Sequence, residues 1–188
     1  MLFRSQEQTQ ISLNVTYSEN EIEKSTVNAI TCIPKNVQQS DTTWPMYQCN
    51  AKHNGYLPVT LTTESIEQLW KIELDNYYGL NRITAAEGKV FTCGFIKNLD
   101  VIDGQTGSIL WSKPLGRYTR GSFPSFSNGL VYIQTGNHNS DTWLRSYNAE
   151  TGEENYKSAF SAQWQNYCAP TIYNDKVYIS GGYYGGAY

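Results

Sequence analysis

Few residues of this chain have the types and spacings that catalysis or metal binding requires. The 188 residues include two histidines, His53 and His138, and four cysteines. No Gly-rich phosphate loop, HExxH helix, CxxC pair or GxSxG elbow occurs. A zinc knuckle or a thioredoxin-type site is therefore not expected, and both histidines are expected to be solvated or capping residues of loops. The sequence predicts no catalytic residue and no metal site.

The cysteines allow one structural hypothesis. Cys32 and Cys49 bracket a short stretch and could form a disulfide in an oxidising compartment. Cys93 and Cys168 fall in strand-like patterns, where a small buried hydrophobic residue is the expected role.

Two other segments could bind a ligand. Residues 137–141 (NHNSD) carry several oxygen donors and could in principle hold calcium, but they lack the DxDxDG spacing of a known calcium loop. Residues 181–186 (GGYYGG) could form an aromatic platform for a sugar or a quinone, or a wide hairpin between strands.

Composition narrows the class of protein. The net charge is −3, so the clustered Lys and Arg of a nucleic-acid-binding surface are not expected. No apolar stretch approaches the roughly 18 residues of a membrane span. The 15 Tyr and 5 Trp, with only 16% charged residues, favour an all-β chain of short, half-buried strands.

The elements that position these residues repeat along the chain. A turn followed by a strand occurs at residues 87–91 (EGKVF), 128–132 (NGLVY) and 174–178 (NDKVY), and a second marker occurs at 103–107 (DGQTG) and 148–152 (NAETG). The second marker precedes Trp111 and Tyr156 by four residues. A period of about 40 to 50 residues built from short strands and Gly-centred turns is that of a four-stranded propeller blade.

The repeats predict an all-β, partial propeller that forms an open arc of about two and a half blades. The first blade spans 80–114 and the second 121–160, and a third begins near 167 and stops after roughly two strands. Val90, Val131 and Val177 should be equivalent, and Trp111 and Tyr156 should be buried between blades. Trp70, 41 residues before Trp111, should lie on the outer strand of a preceding or ring-closing blade.

The segments before the repeats are less regular. Residues 1–17 are expected to combine an artefactual start (LFRS) with the last strand of an upstream domain, because residues 10–17 alternate between polar and apolar. Residues 18–43, rich in polar residues, are predicted to be a linker. Residues 44–188 form the predicted propeller. Residues 1–10 lack a signal-peptide pattern, so any export signal is expected upstream.

The repeats resemble those of the pyrroloquinoline-quinone-like, or quinoprotein-dehydrogenase-like, β-propellers. The shared pattern is Pro, a Gly-x-Val-Tyr strand, then Asp-x-x-Thr-Gly and Trp, and the second blade has it as Pro124, 129–132 and 148–156. Residues 44–47 (WPMY) and 53–61 look like the lead-in of some secreted bacterial members. Ile83 replaces the proline in the first blade, and Tyr156 replaces the tryptophan in the second.

Ligands of propellers bind at the mouth of the central channel, where the innermost strands begin. Alignment of the three repeats places the polar residues expected to face the channel at Arg120, Asn166, Asn81 and Ser122. Arg120 would suit an anionic ligand. The alternative is that these side chains bind backbone groups or water.

The leading functional hypothesis is a non-catalytic binding or scaffolding propeller of a secreted, periplasmic or envelope-attached bacterial protein. Its expected partners are proteins or the remaining blades of the same propeller, with no cofactor. One alternative, implied by the resemblance, is a fragment of a quinone-dependent alcohol or sugar dehydrogenase that uses PQQ and calcium. A second alternative is a carbohydrate-binding propeller.

Overall fold

The computed structural model describes residues 3–4, 8–16, 25–32, 43–58, 67–74, 82–94, 98–116, 119–136, 142–160, 169–183 and 186–187. Within these ranges every regular element is a β-strand, and all strand pairs are antiparallel. The predicted all-β class is therefore confirmed. No helix in the described ranges is long and apolar enough to cross a membrane.

The first sheet, which we call the leading sheet, has four strands in the order β1-β2-β3-β4. They are β1 (Phe3–Arg4), β2 (Gln8–Thr16), β3 (Ser25–Cys32) and β4 (Glu67–Leu74). Trp70 lies on β4, at the edge of this sheet. Its predicted position on an outer strand is confirmed.

Two strands bear on the predictions for the N-terminal region. β3 lies within residues 18–43, the predicted linker, and pairs with β2 and β4. Its β-branched residues Val27 and Ile30 favour a strand despite the polar composition around them. The strand predicted at residues 10–17 is present as β2, but it pairs into the sheet that contains Trp70 rather than standing in a separate one. The division of the chain into domains remains a prediction.

The first blade is a meander of four strands in the order β5-β6-β7-β8. The strands are β5 (Arg82–Ala86), β6 (Lys89–Cys93), β7 (Asn98–Asp103) and β8 (Ile109–Pro114). The turn before β8 is closed by Asp103, whose carboxylate accepts hydrogen bonds from the backbone N–H groups of Gln105 and Thr106 at 2.9 and 2.8 Å. The side chain thus caps its own turn, as the DGQTG pattern predicts.

The second blade repeats this architecture with β10 (Ser125–Ser127), β11 (Leu130–Gly136), β12 (Trp143–Asn148) and β13 (Glu154–Ala159). A short strand, β9 (Arg120–Gly121), pairs with the end of β11. Asn148 closes the second turn with the same pair of side-chain bonds, to the N–H groups of Glu150 and Thr151. The turns before β8 and β13 are therefore closed by the same side-chain hydrogen bonds.

The third blade consists, in the described residues, of β14 (Thr171–Tyr173) paired with β15 (Lys176–Tyr178). A separate hairpin follows, β16 (Gly182–Tyr183) with β17 (Gly186–Ala187), which supports the hairpin interpretation of the Gly-Tyr segment. The described sheets do not close into a ring. The predicted open arc is confirmed, with the leading sheet added in front of its first blade.

Alternate residues of each strand point to opposite sides of a blade. We call the side toward the leading sheet the rear face and the opposite side the forward face. Val90 packs from the rear face of blade 1 against Trp70 and Leu74 of the leading sheet. Phe91, on the forward face, belongs to a core shared with Phe126 and other residues of blade 2. One apolar layer therefore lies between the leading sheet and blade 1, and a second lies between blade 1 and blade 2.

The valines mark equivalent positions, as predicted. Val90, Val131 and Val177 are each the second residue of the second strand of a blade. Val131 also packs rearward, into the core shared with blade 1. The interface between blades 2 and 3 is more polar, since the Gln134 side-chain amide donates to the carbonyl of Ser180 at 2.9 Å.

Two tryptophans join consecutive sheets through the same contact. The Trp70 indole N–H donates to the carbonyl of Gly104 at 2.7 Å, and the Trp111 indole N–H donates to the carbonyl of Ala149 at 2.9 Å. Trp111 is partly buried against the shared core. Tyr156 is 49% exposed, so its predicted burial is wrong. The sequence after Tyr156 has no third Thr-Gly turn on which its ring could pack.

Candidate functional site: the inner strands and the strap

The innermost strands of the three blades are β5, β10 and β14, and β10 lies next to both of the others. Inner strands of a propeller line its central channel. Each has one edge that its own blade leaves unpaired, and an unpaired edge offers backbone N–H and C=O groups to another chain or ligand. These edges are the natural place to seek a functional site.

Residues 43–58, which we call the strap, lie along these inner edges. Trp44 exchanges two backbone hydrogen bonds of 2.9 Å with Ala85 of β5. The next residue, Pro45, accepts a 2.7 Å bond from the N–H of Phe126 in β10. Two consecutive residues of the strap therefore form backbone hydrogen bonds with the inner strands of two blades.

The strap reaches the third blade through His53. The Nδ1 atom of His53 lies 3.0 Å from the carbonyl of Tyr47, and Nε2 lies 2.8 Å from the hydroxyl of Thr171 in β14. A carbonyl can only accept, so Nδ1 donates to Tyr47, and Nε2 shares the second hydrogen bond with the Thr171 hydroxyl. His53 is thus a bridge between the strap and blade 3, rather than the solvated or capping loop residue that was expected.

Tight turns give the strap its shape. The N–H of Cys49 donates to the carbonyl of Met46, and Gly55 donates to the carbonyl of Gln48, both at 3.0 Å. Gln48, Cys49 and His53 have positive φ, which is uncommon for residues with side chains. Met46 and Cys49 are buried.

Cys49 is a free thiol, so the proposed disulfide with Cys32 is wrong. Its S–H points toward the backbone carbonyl of Thr43, 3.8 Å away, within the strap. Desolvation by burial raises the pKa of this thiol. Cys93 is buried and free, which confirms its predicted structural role, while Cys168 lies outside the described residues.

Aromatic and cationic side chains meet where the strap passes blade 2. The rings of Tyr47 and Phe123 have centroids 4.9 Å apart at 50°. The Arg82 guanidinium lies 5.5 Å from the centroid of the Phe123 ring and donates a 2.6 Å hydrogen bond to the carbonyl of Gly121. This cation–π and aromatic cluster joins the strap to the first residues of blades 1 and 2.

The predicted channel-facing residues differ in what the structure shows of them. Asn81 and Asn166 lie outside the described residues. Arg120 is half-buried and begins β9. Ser122 is buried, and its hydroxyl accepts a 3.0 Å bond from the N–H of Gln134 and donates to the carbonyl of Phe123. Ser122 therefore serves backbone groups, the alternative left open by the sequence, and a role in a channel site for any of the four remains a prediction.

No group of three or more His, Cys, Asp or Glu side chains in the described ranges is arranged to hold a metal ion. The loop 137–141, considered for calcium, and His138 within it lie outside those ranges.

Comparisons with known proteins bear on the fold. No protein-family model and no curated protein matches the chain. Among solved structures, a quinohemoprotein alcohol dehydrogenase, ADHIIG from Pseudomonas putida HK5, superposes with a TM-score of 0.60 at 18% identity, over 79% of this chain and 25% of its own. A europium-containing methanol dehydrogenase superposes with a TM-score of 0.53 at 12% identity, over 80% of this chain and 23% of its own. The fold is that of part of a quinoprotein-type β-propeller.

This propeller chain spans about a quarter of the length of the two dehydrogenases. BamB from Moraxella catarrhalis is also similar, with a TM-score of 0.36 at 11% identity, over 85% of this chain and 67% of its own. At 12% and 18% identity, the likeness to the two dehydrogenases extends to the fold alone.

The contacts of the strap were not predicted from the sequence. Residues 44–47 and 53–61 were placed as a lead-in, with no contact assigned to Tyr47 or His53. A signal was present, because the aromatic and Pro residues of WPMY are unusual in a solvated linker. The blade edges that these residues contact are distant in the sequence, and no local periodicity indicates them.

Proposed function

We propose that this chain is part of a non-catalytic propeller that binds or scaffolds other proteins, in a secreted, periplasmic or cell-envelope bacterial protein. The strap is the observation that carries the proposal. It lies against the inner strands of three blades, the region where propellers receive small-molecule ligands. Because the strap already occupies the inner strands, we infer that partner proteins bind to the outer surfaces and faces of the blades.

A second candidate is a fragment of a quinone-dependent dehydrogenase, supported by the likeness to two solved dehydrogenases. Among the described residues no three His, Cys, Asp or Glu side chains come together to hold a metal ion, and no catalytic step through a quinone is derived. Carbohydrate binding remains a prediction from the aromatic content.

One experiment separates the first two candidates. The purified chain is incubated with PQQ and calcium, and the melting temperature and the alcohol-dependent reduction of an artificial electron acceptor are measured. For a scaffold, neither the melting temperature nor the rate of dye reduction changes. A rise in melting temperature that requires both PQQ and calcium would favour the dehydrogenase candidate, because only a ligand that binds the folded state stabilises it.

A further inference from the structure

The forward faces of blades 1 and 3 carry equivalent residues in the same register. In blade 1, Thr84 is opposite Phe91 and Ala86 is opposite Lys89. In blade 3, the corresponding cross-strand pairs are Thr171 with Tyr178 and Tyr173 with Lys176. A threonine, a lysine and an aromatic residue therefore recur at matching positions on the two faces.

Blade 2 covers the forward face of blade 1 through three contacts. Phe91, fully buried, stacks on Phe126 with ring centroids 5.3 Å apart at 15°. The ammonium of Lys89 forms an ion pair with the carboxylate of Glu150, the third residue of the NAETG turn. Trp111 donates to the carbonyl of Ala149 in the same turn. An inner-strand aromatic residue and an acidic turn together recognise this face.

The same face is open in blade 3. Tyr178, at the position of the fully buried Phe91, is 51% exposed, and Tyr173 is 58% exposed. Lys176, at the position of the buried Lys89, is also exposed. Thr171 at the inner end is held by His53 of the strap, which fixes β14 in place. The result is an exposed surface of two tyrosines and one cation.

We propose that the forward face of blade 3 is a docking surface for a further propeller blade of defined chemistry. That blade carries an aromatic residue at the position of Phe126, which stacks on Tyr178. It also carries an acidic residue at the third position of its Asx-x-x-Thr-Gly turn, which pairs with Lys176. Docking buries the Lys176 side chain, as blade 2 buries that of Lys89 while the Glu150 carboxylate stays exposed. A blade with a basic turn residue would leave the buried cation without its partner and is rejected. The inference does not depend on whether the propeller is catalytic.

The test retains the full chain and adds the partner by a tether. A copy of residues 119–160, which contains both Phe126 and the NAETG turn, is joined to the C-terminus through a flexible Gly/Ser linker long enough to reach the face. Lys176 acetylation and Tyr178 nitration are followed by mass spectrometry, with the buried Lys89 as an internal reference. Both modification rates should fall about tenfold relative to the unextended chain, since the tether supplies millimolar effective concentration.

Charge reversal makes the outcome specific. Glu150→Lys in the appended copy alone should abolish the protection, and Lys176→Glu in the same protein should restore the protection of Tyr178. Lys71→Glu, on the exposed edge of the leading sheet, is the matched control and should change nothing. Equal modification rates with and without the appended blade would overturn the proposal, as would protection that ignores the charge reversal. If Lys176 of the unextended chain becomes better protected as the protein concentration rises, a second copy of the chain occupies the face. That result would also overturn the proposal.

Discussion

The indole ring of Trp111 lies directly on Gly152, the last residue of the turn in the next blade. A Cβ atom on Gly152 would come within 2.9 Å of Cδ2 of Trp111, and the same is true of Gly107 against Trp70 at 2.8 Å. The turn glycine is therefore required twice, once for its positive φ and once for the space that the ring occupies. Consecutive sheets of this propeller are therefore joined by a tryptophan ring that packs directly on a turn glycine.

The first prediction tests whether Gly152 must lack a Cβ atom. Gly152→Ala should destabilise the chain by about 2 to 4 kcal/mol, because it adds an overpacking cost to the strain of a positive φ. Gly129→Ala is the matched control: its φ is +73°, close to the +69° of Gly152, but an added Cβ would meet no atom within 4 Å. Urea denaturation should show a loss of only about 1 kcal/mol for the control. Equal losses would contradict the packing role of Trp111.

The second prediction concerns the ring itself. Trp111→Ala should lower the free energy of unfolding by about 3 kcal/mol, through lost contacts and a lost hydrogen bond. Trp111→Phe, which keeps a ring but not the indole N–H, should lose less than Trp111→Ala. Tyr156→Ala, at the equivalent but exposed position, should cost under about 1 kcal/mol. A similar effect at positions 111 and 156 in thermal or urea denaturation would refute the contact.

The third prediction tests the bridge between strap and blade 3. His53→Ala and Thr171→Val each remove one partner of the 2.8 Å contact, and the double variant removes both. The two losses in unfolding free energy should be non-additive, with a coupling of about 1 kcal/mol. Strictly additive losses would show that the contact does not operate in solution.

The fourth prediction follows from Asp100, which is buried on the rear face of blade 1 and accepts a hydrogen bond from the Ser112 hydroxyl at 2.5 Å. Desolvation raises the pKa of this carboxyl, and the Ser112 bond opposes the shift. The folded state then holds the proton more tightly than the unfolded state, so stability is lost as pH rises through the folded pKa. The unfolding free energy of Asp100→Asn relative to the parent should be higher at pH 7 than at pH 4. A difference that does not vary with pH would argue against a desolvated carboxylate.

The fifth prediction concerns Cys93. Burial raises the pKa of this thiol to about 12, with the charge of Asp100 adding to the shift and that of Arg82 opposing it. At pH 8 only about one Cys93 thiol in ten thousand is ionised, so iodoacetamide should not alkylate it in the native chain. Alkylation should follow only after unfolding in urea. Rapid native labelling of the peptide that contains Cys93 would show that blades 1 and 2 separate readily.

The blades could be predicted from the sequence because their signals are local and repeated. Val90 and Val131 follow turns that close within a few residues, and Asp103 and Asn148 cap their own turns. The contacts of Tyr47 and His53 could not be predicted, since they join residues far apart without any period. The exposure of Tyr156 was also missed, because an aromatic residue is buried only if another segment presents a surface to it.

The strap has a consequence for the order of folding. His53 and Thr171 are separated by 118 residues, so their contact closes a loop that encloses both complete blades. A contact between residues so far apart in the sequence is expected to form after the local strand pairs within each blade. During synthesis the strap emerges early, yet it cannot complete its contacts until β14 has left the ribosome. The contact between His53 and Thr171 is therefore expected to form after both complete blades, and its formation would report that folding has reached the third blade.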